Sequence, residues 1–424
     1  MKSITLTKNK QKRIHISDLN IIIIGNPLLP LFASIFTASL AANALFFLTP
    51  LIFARSTEHI EVYGISMSLF IVSSFISSMI GGVLADIYTR KTVIVISPIL
   101  VFLTLSASCM IIRAYGLIGY AMIFPLIGFF GSLGSPALNA LISETVSRHN
   151  IGKAYSFMTA LMAAGELVGP VLVTSLLLTK IGLYTIIMTI AILILLTGIL
   201  RSLVPYIDVK GERLERSLRG VIKATCSIFK RKDVRFILFF SGIIGSAEAL
   251  YSTFLIPYLR IIVKFSIIEL TTIIIFIKIV HIFTQLVSGY IIDKYGPELA
   301  LKISIMVSFS ATLGVSMIPL ITEIREVLLI PLGLAALGMI INDPAIKTVI
   351  AIKAPDKIKS TLFGIVNNFV VLARSPIVAL GSIIWSMSPH LLYFMGSLMF
   401  LSSLVFIIHG KIIASNSKSD RLIF

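Results

Sequence analysis

Charge is what this chain has least of. Only 13% of its 424 residues are Asp, Glu, Lys or Arg, about half the share of a soluble domain. A water-soluble globule is excluded on that ground. Cysteine is nearly absent as well. Cys109 and Cys226 fall on opposite sides of a predicted span and give neither a disulfide framework nor a metal spacing. No His-Glu-x-x-His run or paired-Asp metal site occurs, which argues against an intramembrane enzyme. There is no Gly-x-x-x-x-Gly-Lys-Ser/Thr phosphate loop either, so ATP-driven pumping by this chain is unsupported. No cofactor is expected.

What fills the chain is hydrocarbon. Fifty-seven per cent of it is hydrophobic, with a mean hydropathy of +1.01, in runs of about 20 residues or more. Each run is long enough to cross ~30 Å of bilayer as a helix. Lipid offers the backbone no hydrogen bonds, so these runs must be helical. Twelve spans can be drawn: 27–53, 62–86, 92–112, 116–143, 152–179, 182–204, 236–259, 267–292, 299–320, 327–351, 360–386 and 389–409. The basic, polar segment Met1 to Asn20 is followed by no cleavage pattern, so the first span is read as retained.

The acidic residues, 19 against 36 basic ones, leave a net charge of +17. Nucleic acid is not the implied partner, because the basic residues gather on one side of the spans. The loops of the other side hold only Arg55, Arg113, Lys180, Arg260, Lys264 and Arg325, while Lys278, Lys347 and Arg374 lie inside spans. By the positive-inside rule both termini are cytoplasmic. The organisation expected is a tail over 1–26, six spans over 27–204, a linker over 205–235, six spans over 236–409 and a tail over 410–424. The linker alternates Leu214, Leu218, Val221, Ile222, Thr225 and Phe229 with Arg213, Arg216, Arg219, Lys223, Lys230, Arg231 and Lys232. It reads equally as a basic amphipathic helix on an anionic leaflet or as a solvated tether.

The two sets of six are copies. Gly82-Val83-Leu84-Ala85-Asp86-Ile87-Tyr88-Thr89-Arg90-Lys91 recurs as Gly289-Tyr290-Ile291-Ile292-Asp293-Lys294-Tyr295-Gly296. Ser135-Pro136-Ala137 matches Asp343-Pro344-Ala345, and Gly169-Pro170 answers Ser375-Pro376. The three offsets agree to within about a residue, the mark of a parallel internal repeat.

On these features the chain resembles the major facilitator superfamily. That family's loop between spans 2 and 3 runs roughly Gly-x-x-x-Asp-Arg-x-Gly-Arg-Arg/Lys. Gly82, Asp86, Arg90 and Lys91 match it, as do Gly289, Asp293, Lys294 and Gly296 in a second, degraded copy. Span 5 carries Gly165-Glu166-Leu167-Val168-Gly169-Pro170, similar to part of the signature of the superfamily's proton-coupled drug antiporters. Val173 and Thr174 replace the glycine pair that would follow. No arginine occurs between Tyr120 and Ser135, where that branch has one. The resemblance implies an all-α membrane protein, with two six-helix bundles around a cavity that opens alternately to each side. It implies a secondary transporter of a small organic solute, or an efflux antiporter, in the cell membrane and as a monomer. Its partners would be the solute, the bilayer and, as a candidate coupling ion, protons.

Residue roles follow from physics and placement. Asp86 could cap the start of span 11 around Lys359 to Thr361, since helix N-termini carry partial positive charge. Arg90 or Lys91 could pair with Glu144, and Asp293 could act against span 5 near Gly152 and Lys153. These contacts would form when the cytoplasmic gate closes. Gly165 and Gly169 allow close helix packing, and Pro170 bends span 5. Ionisable residues inside the membrane are expensive and need partners or water. Glu166, Glu248, Lys278, His281, Asp343, Lys347 and Arg374, with Asn139, are therefore candidates for solute or proton coupling. Structural ion pairing is the competing reading. Glu166 with Lys278 or His281 would join the two bundles; Asp343 and Lys347 would pair within one helix. Asn367, Asn368 and Gln285 are further polar candidates.

Overall fold

A computed structural model describes residues 29–54, 59–145, 151–205, 232–353 and 359–416. The basic linker and the N-terminal tail lie almost entirely outside them. The helices are α1 Leu29–Phe53, α2 His59–Ile87, α3 Arg90–Leu133, α4 Ser135–Thr145, α5 Ile151–Leu178, α6 Leu183–Ser202, α7 Lys232–Pro257, α8 Ile267–Tyr295, α9 Pro297–Ile321, α10 Leu329–Lys353, α11 Lys359–Met387 and α12 Pro389–Asn416.

Helix α3 is two crossings. Its hydrogen-bonded run is interrupted at Gly116, with φ 63° and ψ −147°, a conformation that residues with a Cβ rarely adopt. The second leg then folds back on the first, so that the Ser97 hydroxyl donates to the Phe130 carbonyl at 2.7 Å. Where the sequence suggested a loop over 113–115, one glycine makes the turn, and span 4 is completed by α4 after a break at Gly134. Twelve crossings result, as expected.

The repeated motif sits at helix ends, where the span 62–86 placed Asp86, and the second copy's helix runs past the expected end at 292 to include Asp293. Asp86 and Asp293 lie in the last turns of α2 and α8. The connections beyond them are very short. Thr89 caps α3 by accepting from the Thr92 amide, and Gly296, at φ 82°, ends α8 and starts α9, with Pro297 in its first turn. A proline suits that position because its missing N–H would have no helical partner there.

Close packing inside each half depends on missing side chains. A Cβ on Gly169 would stand 2.7 Å from the Ala44 amide nitrogen of α1, and one on Gly165 would stand 2.6 Å from the Ser39 Cβ. Helices α1 and α5 therefore touch backbone to backbone. In the second half the equivalent pair is α7 and α11, and both helices supply glycines: a Cβ on Gly245 of α7 would meet the Val370 side chain at 2.5 Å, and one on Gly381 of α11 would meet the Leu250 side chain at 2.5 Å. The duplicated pair is kept, and in the second half both of its helices supply small residues. Gly169→Leu is expected to overpack this seam and cost ~1–3 kcal/mol or more. Gly396→Ala in α12, where a Cβ meets nothing within 4 Å, should stabilise by ~0.5–1 kcal/mol. Thermal unfolding of the purified protein in detergent, with the two variants side by side, measures the contrast.

Candidate transport site

The ends of the helices that carry Asp86 and Asp293 define one side of the molecule, here the motif side; the opposite ends form the far side. The hydrogen bonds and the ion pair seen between described residues of the two halves lie in the far-side portion. Ser386 of α11 donates to the Glu61 carboxylate of α2. The Tyr63 hydroxyl donates to the Thr253 carbonyl at 3.2 Å, and Ser68 and Ser375 share a 2.8 Å bond. Thr174 of α5 bonds Thr271 of α8. Apolar packing completes the seal. Tyr63 meets Phe254 edge-on, Phe254 stacks on Trp385, and a Cβ on Gly64 would stand 2.5 Å from the Ser382 Cβ. Tyr63, Phe254 and Trp385 belong to one buried cluster shared by both halves.

Toward the motif side the picture reverses. Gly82 and Gly289 have nothing within 4 Å of where a Cβ would be. Asn139, Gln285, Asp343, Lys347, Asn367 and Asn368 are exposed along the helices. Polar groups in that number would be costly against lipid, so they face a water-filled cleft. Among the described residues the hydrogen bonds seen between the halves stop short of the motif side, and the polar groups lie between there and the seal.

At its closed end stands an ion pair. Lys278 of α8 donates to Glu166 of α5 at 2.7 Å, with side-chain exposures of 27% and 35%. At ~1.5 Å per residue, both lie roughly 17 Å from the far ends of their helices. Gly165 and Gly169 press the flanking turns of α5 onto α1, so Glu166 cannot retreat into its own half. His281, one turn from Lys278, is half-buried, and Glu166 is bonded to Lys278 rather than to it.

The other intramembrane charges are satisfied within one half. Asp343 and Lys347 bond at 2.6 Å on α10, four residues apart. Glu248 of α7 receives the Asn342 amide at 3.0 Å and Arg374 at 3.4 Å, while the Arg374 Nε donates to the Gly245 carbonyl at 3.2 Å. The Ser304 hydroxyl of α9 donates to Asn342 at 2.7 Å, so four helices meet at one polar node. Asn342 and Ser304, both buried, are members that sequence reasoning missed. Arg201 at the end of α6 was missed too; it is buried and donates to the Ile94 carbonyl of α3 at 3.0 Å.

The gate residues are placed less completely. Asp293 is exposed. The side chains of Asp86 and Glu144, and those of Lys359 to Thr361 and of Gly152 and Lys153, lie outside the described set, so the proposed Asp86 and Glu144 contacts do too.

A sequence model described as "Major Facilitator Superfamily" matches residues 31–377. The chain belongs to the major facilitator superfamily. Among solved structures, a bacterial homologue of the iron transporter ferroportin, in an inward-facing state, superposes with a TM-score of 0.73 at 15% identity, covering 90% of this chain and 98% of that one. The nucleoside transporter NupG superposes with a TM-score of 0.71 at 16% identity, covering 93% and 100%. At such identities these likenesses speak for the fold alone. The enterobactin exporter EntS of Shigella flexneri is 31% identical over 111 residues, 26% of this chain and 27% of that protein. The match thus spans about a quarter of the exporter's length. Membership makes this family member a secondary transporter of small solutes across a membrane, working by alternating access. A far side sealed between the halves is a feature of one of the two end states such a cycle requires.

Proposed function

We propose that the chain moves a small polar organic solute across the cell membrane, coupled to protons, with Glu166 as the coupling carboxylate. The observation that carries this reading is the Lys278–Glu166 bridge, whose two members sit on different halves. When rigid halves rock, a pair inside one half travels intact, whereas a pair across the seam must change partner. Glu248–Arg374 and Asp343–Lys347 are of the first kind and serve structure. Glu166 is of the second kind. In the opposite state it loses Lys278 and takes a proton, or a cationic group of the solute, in its place.

The motif side is read as cytoplasmic from the distribution of basic residues, with both termini there and the protein acting as a monomer. The state seen is then inward-facing. Closing it would bring Gly82 toward α11 and Gly289 toward α5, with Asp86 and Asp293 capping or pairing as the gate shuts. Each exposed contact of that kind contributes ~1 kcal/mol at most, enough to bias a balanced equilibrium. The short likeness to an exporter favours outward movement as a second reading.

Uptake of a solute panel into proteoliposomes, with and without a pH gradient, tests the proposal. Wild-type transport should respond to the gradient, and Glu166→Gln should not. A wild-type rate indifferent to pH would remove proton coupling. Gly82→Trp provides a separate check. The ring finds open space in the state seen, so folding should be unaffected, but it blocks motif-side closure and should stop net transport. Normal turnover of that variant would contradict the proposed motion.

A further inference from the structure

The charge balance of the cleft narrows the solute, on the transport reading just given. Among the described membrane-embedded residues, the carboxylates of Glu166, Glu248 and Asp343 are each matched by one cation, Lys278, Arg374 and Lys347. Among the described residues, the Asp, Glu, Lys and Arg side chains of the cleft therefore leave no surplus charge of either sign to attract a singly charged solute. A lone amine or a lone carboxylate could enter only by breaking a pair and leaving one ion unmatched, which is costly in a low-dielectric site. An uncharged solute has no means to part the Lys278–Glu166 bridge.

We infer that the solute is a zwitterion, a free amino acid or short peptide, that inserts into the Glu166–Lys278 bridge with its ammonium on Glu166 and its carboxylate on Lys278. One ion pair is exchanged for two, and both carry charge-assisted hydrogen bonds of about 2.8 Å. The charge balance is unchanged. Because Glu166 is on α5 and Lys278 on α8, the bound solute joins the two halves as the bridge did. This gives it the differential contact between states that alternating access requires.

The surroundings fit a small skeleton. On α5, Met162 and Thr159 follow Glu166 down the same helix face toward the motif side and are exposed. On α8, His281 and Gln285 follow Lys278 in the same way. An apolar side chain would lie against Met162, and peptide or side-chain polar groups against His281 and Gln285. The other two pairs are less suited to this exchange. Asp343 and Lys347 share one helix, and both Glu248 oxygens are already held, by Asn342 and Arg374.

The test is uptake into proteoliposomes of L-leucine and L-leucyl-L-leucine. Leucine is compared with isoamylamine (no carboxylate) and 4-methylpentanoate (no ammonium), and the dipeptide with its N-acetyl and C-terminal amide forms. Uridine and glucose are included as uncharged solutes. At least one zwitterion should enter, and removing either charge should slow entry ~10-fold or more, the loss of one ion pair at ~1.4 kcal/mol per decade. The double variant Glu166→Gln/Lys278→Met, which leaves no unmatched charge and so should stay folded by elution profile and melting, should lose that discrimination. Equal rates for a zwitterion and its singly charged analogue would overturn the inference, and so would discrimination retained by the double variant. If neither zwitterion moves, the inference also falls; movement of uridine or glucose would then leave the transport reading standing, and no movement of anything would remove both.

Discussion

Lys278→Met is expected to slow solute transport ~10-fold or more and to destabilise the protein by ~1–3 kcal/mol. Removing one partner of a buried pair costs ~3–5 kcal/mol. Here Lys278 and Glu166 are 27% and 35% exposed, and water in the cleft screens part of that. The loss in rate comes from elsewhere. The bridge is one of the bonds holding the halves together at the closed end of the cleft, and without Lys278 the exchange of partners at Glu166 that the cycle uses is lost. Adding Glu166→Gln to the variant should restore most of the stability, since no charge is left unmatched, but not the transport. Melting temperature and proteoliposome uptake, measured on the same preparations, separate the two effects. Full transport by Lys278→Met would remove Glu166 and Lys278 from the mechanism.

The second large effect is expected at Arg374 and is of the opposite kind. Arg374→Leu leaves the Glu248 carboxylate held by Asn342 alone, in a site 21% exposed. A loss of ~2–4 kcal/mol is expected, reduced from the full cost of an orphaned charge by water reaching the 38%-exposed Arg374. Asn342→Leu should cost less, ~1–2 kcal/mol, because Glu248 keeps its cation and Ser304 keeps its bond to the Leu301 carbonyl. Since α7, α9, α10 and α11 move as one half, protein that remains folded should transport at near the normal rate. Thermal melts together with uptake normalised to folded protein provide the check. A large rate loss at unchanged stability would make Glu248 a coupling residue rather than a structural one.

The sequence made much of this legible, and the reasons for its failures are physical. Apolar runs of bilayer length specify crossings almost by themselves, because lipid leaves the backbone no alternative to a helix. They say less about turns, and so the loop drawn over 113–115 became a single positive-φ glycine, Gly116. Asp343 and Lys347 could be paired by counting, since four residues return a helix to the same face. Glu166 and Lys278 could not; that pairing came from the family fold, which sets spans 5 and 8 side by side. Asn342 escaped notice because it adjoins Asp343, and neighbouring residues on a helix point to different sides. Asp343 faces the cleft, and Asn342 is buried toward Glu248. Ser304 escaped because a buried serine that bridges helices looks no different in sequence from one bonded to its own helix. Arg201 looked like one more topogenic charge at a span end. The gate pairings of Asp86 and Glu144 fall on side chains outside the described residues.

Distances between spin labels on both sides of the molecule test rocking of the two halves most directly. One label pair at Tyr88 and Tyr295 reports the motif side, and a second at Lys180 and Glu323 reports the far side; all four residues are exposed. In a background without Cys109 and Cys226, solute and a pH change should shorten the first distance while lengthening the second. Two distances that stay fixed through turnover, or that change in the same direction, would contradict alternating access by rigid halves.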